Sequence, residues 1–196
     1  MSTILLLDNG HGAETLGKRS PDGKLREYAW ARECVAEIAL QCAAKGIEYQ
    51  IVTPENNDVP LAERVKRVNT IVDEAKAAGK KCMLVSVHLN AAGSDGNWHD
   101  ASGWSGWVAK KASKDSEAFC RALTDEAVKR GFKGNRSIPS DKCWRADYYI
   151  LKNTKCPAVL TENLFQDNKS DAAKLMTDEC INSIAALHVA AFERVM

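Results

Sequence analysis

The segment KCMLVSVHLN, residues 81–90, is apolar on both faces until it reaches His88 and Asn90. A strand of that kind must be covered on both sides, so it belongs at the centre of a sheet packed between helices. TILLLD (3–8) and AVLTEN (158–163) are further apolar runs of strand length. With IEYQIVT (47–53), WSGWVAKK (104–111) and YYILK (148–152) they make a set of about six strands. Between them lie segments of helical period. Residues 27–46 carry Ala31, Cys34, Val35, Ile38 and Cys42 on one stripe and end at Gly46, a good C-terminal cap. Residues 60–79 repeat the pattern through Leu61, Val65, Val68, Val72 and Ala75, with Pro60 at the start and Gly79 at the end. Residues 114–130 and 170–194 read as two more helices, and 131–147 as a long loop. The order β-α-β-α-β-β-α-β-β-α predicts a single-domain α/β fold, a mixed but largely parallel twisted sheet with helices on both faces.

The chain has 196 residues, enough for one sizeable core. A net charge of +1 offers no argument for binding nucleic acid. The N-terminal run ILLL has no basic region before it and is too short for a signal peptide or a membrane span. The expectation is a monomer made in the cytoplasm without a signal peptide, neither inserted in a membrane nor bound to nucleic acid. Seven cysteines occur, an odd number, without any C-x-x-C pair. They read as small core residues of a chain made in a reducing compartment, and the ligand pairs of a zinc-cysteine cluster are missing.

In sheets of this type ligands gather at the carboxyl ends of strands. Three strands end in a group able to do chemistry: ILLLDNGH delivers His11, MLVSVH delivers His88 and AVLTE delivers Glu162. Each has a plainer reading. A strand-end histidine often only hydrogen-bonds a loop, and a carboxylate there often caps a turn. The glycines flanking His11 favour function, because they let backbone approach closely and leave room for metal and substrate. His188 shares a helical face with Ile184, Ala191 and Val195 and reads as a core histidine, while His99 sits in a loop. Two histidines, a carboxylate and an open position form a common catalytic zinc site. Glu27, opening the first helix, can turn back to the strand ends, whereas Glu33 lies at least a turn further on. Spacing alone leaves Glu14 and Asp22 as alternatives. The residues by themselves support a zinc hydrolase.

The ordered set of motifs resembles the zinc-dependent N-acetylmuramoyl-L-alanine amidases of the amidase 3 family. LDNGHG matches a strand followed by D-P-G-H-G, with Asn9 in place of proline. REYAWA carries the family's helix-start glutamate at Glu27, and NDVPLAERVKRVN its Asp, Leu, Arg and Asn at Asp58, Leu61, Arg64 and Asn69. SVHLNAA and PAVLTENLFQDNKSD match the remaining two motifs, so the resemblance spans nearly the whole chain. It implies a phosphorylase/hydrolase-like fold over residues 1–196, a single catalytic domain without a separate wall-binding domain. It implies one Zn²⁺ held by His11, Glu27 and His88, with Glu162 as the catalytic carboxylate. It implies a peptidoglycan or muropeptide substrate, cut between N-acetylmuramic acid and the L-alanine of the stem peptide. Such a substrate lies outside the cytoplasmic membrane, which suits a lysin released through a membrane lesion or non-classical export.

Asn90, Trp104, Trp107 and Trp144 are candidate substrate contacts, since an exposed indole can stack on a sugar face. SGWSGW departs from the family pattern bordering the site, which leaves the glycan contacts open. Two other readings stand beside a wall amidase. One is a zinc amidohydrolase acting on soluble muropeptides or other acyl-amino acids. The other is a non-catalytic wall-binding module, which would have no need of Glu162.

Overall fold

The computed structural model describes residues 2–196. Six strands form one sheet in the order β2-β1-β3-β6-β4-β5. β1 (Thr3–Asn9), β2 (Tyr49–Ile51), β3 (Lys81–Asn90) and β6 (Ala158–Phe165) run parallel to one another, while β4 (Trp104–Val108) is antiparallel to β6. β5 is only Trp144–Arg145, parallel to β4 at the edge. The helices are α1 (Glu27–Ala44), α2 (Leu61–Ala77), α3 (Lys114–Lys129), α4 (Tyr149–Asn153), α5 (Lys169–Leu175) and α6 (Asp178–Glu193).

β1 shows how the sheet is sandwiched. Leu5 and Leu7 point into a core shared with α1, α3 and α6, whereas Ile4 and Leu6 point into a second core under α2 and α4. Both faces of β3 are buried in the same way, as its unbroken apolar run requires. His188 lies in the larger core as expected, with Nε2 3.0 Å from Thr161 Oγ1 and Nδ1 2.7 Å from the Ile184 carbonyl. Burial lowers its pKa from 6.5 to about 4. Its contribution to stability is therefore complete above 6.5 and is lost as the pH falls through 4, a difference worth about 3 kcal/mol. Urea titrations of wild type and His188→Gln should show a shallower acid loss in the variant across that window.

Two elements depart from the expectation. YYILK is the short helix α4, not a strand. Its buried residues, Ile150 and Leu151, are adjacent and pack as one turn, while Tyr148 and Tyr149 stay exposed. The sheet edge is instead taken by Trp144–Arg145 from the expected long loop, with Trp144 in register with Trp107. The C-terminal helix is also broken. Asn168 caps α5, and Thr177 starts α6 by accepting a hydrogen bond from Cys180 N.

All seven cysteines are free thiols, and only Cys156 is not fully buried. Among the described residues no helix is long and apolar enough to cross a membrane.

Candidate active site

The parallel register of β1, β3 and β6 brings their carboxyl ends to one sheet edge. His88 and Glu162 are direct partners across β3 and β6. His11 follows β1 by two residues and adopts φ 57°, the left-handed region that a non-glycine residue rarely takes. Glu27 begins α1 and is fully buried, and its backbone N–H donates to the Lys18 carbonyl at 3.0 Å.

The glycines around His11 serve close approach, but not the approach expected. A Cβ at Gly10 would lie 2.5 Å from His88 Nδ1, and one at Gly12 would lie 2.1 Å from the Asp58 nitrogen. The space they leave belongs to the protein's own imidazole and backbone. The His11 carbonyl is then gripped by Arg32 Nη2 at 3.1 Å and Arg64 Nη2 at 2.9 Å.

Glu27 Oε1 lies 3.3 Å from His11 Nε2 and 3.1 Å from His88 Nδ1. One ligand atom from each of the three residues falls within 4.8 Å of the others. Burial works to raise the Glu27 pKa, but the hydrogen bonds and charges of the two histidines outweigh it and hold the carboxylate well below its usual range. Further donors fix its orientation: Leu89 N to Oε1 at 3.1 Å, and Gln166 Nε2 to Oε2 at 3.0 Å. The far nitrogen of His88 is 3.1 Å from Ser86 Oγ. Ser86 donates to Asp8 at 2.6 Å, and Arg64 donates to Asp8 at 2.9 Å. A chain from a buried arginine thus sets the ring's orientation.

Glu162 stands apart from this network. Its Oε2 is buried and has no hydrogen-bond partner among the described residues. Burial, and then the Glu27 charge, push its pKa well above the usual carboxylate range, with Lys18 opposing. An unpartnered carboxyl beside a cluster of donors can carry a proton to or from a ligand. His11, His88 and Glu162 open together on a cavity of about 520 Å³ that Lys18, Arg64, Tyr148 and Tyr149 also line.

The other acidic alternatives lie elsewhere. Glu14 accepts from Asp58 N, Asp22 accepts from Ser20 and Lys24, and Glu33 is exposed. His99 pairs with Asp95. Trp104 needs correction as a substrate contact: it is 2% exposed and donates to Asn163 Oδ1 at 2.8 Å. Asn90 turns back to accept from Ala91 N, a loop-fixing role. Trp107 and Trp144 remain half-buried at 5.5 Å, with Tyr148 5.6 Å from Trp107. Sequence reasoning missed Gln166, Lys18 and the two tyrosines. Asn9, which stands where the family pattern has proline, donates through Nδ2 to the Thr53 carbonyl at 2.6 Å and ties the end of β1 to the segment just after β2.

A family model described as N-acetylmuramoyl-L-alanine amidase (Amidase_3) matches residues 5–194. An endolysin of Bacillus phage SPP1 is 29% identical over 198 residues, covering all of this chain and 67% of the relative. The N-acetylmuramoyl-L-alanine amidase CwlM of Bacillus licheniformis is 25% identical, covering 94% of this chain and 65% of the relative. This chain therefore spans about two thirds of the length of these curated relatives. Among solved structures, the CwlV catalytic domain of Bacillus (Paenibacillus) polymyxa var. colistinus superposes with TM-score 0.79 at 20% identity, covering 100% of both chains. An N-acetylmuramoyl-L-alanine amidase from Clostridium difficile 630 gives 0.81 at 21% identity, covering 98% of this chain and 96% of that one. At these identities the two structures speak for the fold.

Proposed function

Because the chain belongs to the N-acetylmuramoyl-L-alanine amidase family, we propose that it hydrolyses peptidoglycan with one zinc ion held by His11, Glu27 and His88, and with Glu162 as the proton-transfer group. The observation carrying this reading is the convergence of two imidazoles and one buried carboxylate within 4.8 Å, beside an unpartnered carboxyl. The donor set suits zinc, which takes nitrogen and carboxylate ligands and in catalytic sites keeps one position open. When bound, zinc supplies a Lewis acid that polarises the carbonyl and acidifies water, and a positive charge that favours the ionised form of Glu162.

The chain's own groups do the rest. Glu27 and the Ser86–Asp8 chain hold the donors in place before substrate arrives. Glu162 takes a proton from the attacking water as its oxygen bonds to the lactyl carbonyl carbon. The same carboxyl then gives the proton to the alanine nitrogen as the C–N bond breaks. The products are a lactyl carboxylate and a new L-alanine amino terminus. We assign residues 1–196 to one catalytic unit and the setting to lysis of a cell wall, as a lysin would perform it.

Purified sacculi incubated with the zinc-loaded protein should release new L-alanine amino termini, and chelator should stop the release. No release in zinc would sink the reading. His11→Ala should bind less zinc, as measured by plasma emission spectrometry after dialysis. Gln166→Leu removes a donor to Glu27 and should weaken zinc binding about 10–100-fold in a competition titration.

A further inference from the structure

We propose that Lys18 is the anchor for a substrate carboxylate, and that the protein prefers peptides carrying a free carboxylate on the residue after the alanine. This rests on the amidase reading above.

The argument starts from the charges that line the catalytic cavity. Asp8 is paired with Arg64, and Arg64 also reaches Asp58 at 3.4 Å. Asp58 in addition accepts a hydrogen bond from the Thr15 hydroxyl. His11 and His88 face Glu27. Glu162 makes no ion pair among the described residues, and its Oε2 has no hydrogen-bond partner. Lys18 lines the same cavity. Among the described residues its ammonium makes neither an ion pair nor a hydrogen bond, and its backbone carbonyl is taken by Glu27 N. Among the described residues it is the one cation lining the cavity without a partner.

The position is also built. The Lys18 carbonyl accepts from Glu27 N at 3.0 Å, and the backbone of Arg19 pairs antiparallel with that of Arg26. The segment carrying Lys18 is therefore pinned to the start of α1, one hydrogen bond from a donor of the metal cluster. Lys18 is half-buried, its ammonium with three free donors suits an acidic group, and a carboxylate on the peptide side of the scissile amide is the nearest such group on a stem peptide. Tyr148 and Tyr149 line the same cavity and are partly exposed, which provides apolar surface for the uncharged part of the ligand.

The test compares two acyl-L-alanyl peptides that differ only in a free carboxylate or a primary amide on the residue after alanine. Wild type should favour the acid in kcat/KM, with the difference in KM and shrinking as salt rises. Lys18→Met should lower that preference about tenfold, and Lys18→Arg should restore most of it. Binding of the uncleaved acid peptide to zinc-loaded Glu162→Gln protein, with and without Lys18→Met, repeats the comparison without turnover. An unchanged acid-to-amide ratio in Lys18→Met overturns the proposal. So does an equal fall in kcat on both peptides with a shifted pH profile, because Lys18 would then act on Glu162. If wild type cleaves neither peptide nor sacculi, the amidase reading fails, while the binding comparison still decides the role of Lys18.

Discussion

Glu162→Gln is expected to cut turnover about 100- to 10,000-fold while zinc content stays at the wild-type level. Glutamine keeps the shape of the side chain but can neither accept nor deliver the proton that amide hydrolysis moves. Zinc content is unaffected because Glu162 is not among the three clustered donors. Folding should also survive, because Oε2 has no hydrogen bond to lose and the charged form is already disfavoured by burial. Release of L-alanine amino termini, measured beside metal content and melting temperature, separates these effects. Full activity in the variant would remove Glu162 from the mechanism.

Arg64→Met is expected to produce the largest loss of stability. The guanidinium is almost fully buried and serves five acceptors: Asp8, Asp58 and the carbonyls of Asn9, His11 and Val59. Removing it strands the Asp8 carboxylate, itself only 1% exposed, without its cation. Breaking one side of a buried pair costs about 3–5 kcal/mol, since an uncompensated charge remains inside. For a chain of this size that lowers the melting temperature by about 10 °C. Asp8→Asn combined with Arg64→Met should recover part of the loss, because the stranded charge is gone. Thermal melts of the single and double variants check both statements. A single variant that melts with the wild type would mean that Asp8 finds another cation.

The strand ends were legible because burial on both faces leaves a strand few polar residues, and those few fall where the sheet meets solvent. His11, His88 and Glu162 stand out for that reason alone. Glu27 was not unique from its spacing, because the turn that brings α1 back to the sheet edge is made by loop contacts such as Lys18 with Glu27. Gln166 could not be found from local pattern, since it touches Glu27 across 139 positions of sequence. YYILK fits either period because its apolar run is only four residues long, and packing of Ile150 and Leu151 with Val65 and Val68 of α2 decides for a helix. Trp104 was overvalued because an indole beside a site can equally be an internal hydrogen-bond donor, here to Asn163.

The left-handed turn at His11 has a consequence for engineering. The six letters LDNGHG look like a portable cassette, yet little of what holds the histidine lies within them. Its carbonyl is held by side chains from α1 and α2, and its flanking glycines are shaped to the ring on β3 and to the turn before α2. Grafted onto another sheet, the same letters would carry an imidazole with no fixed direction. Exchange between amidases of this kind should therefore succeed for whole sheets with their helices, and fail for motifs swapped one at a time.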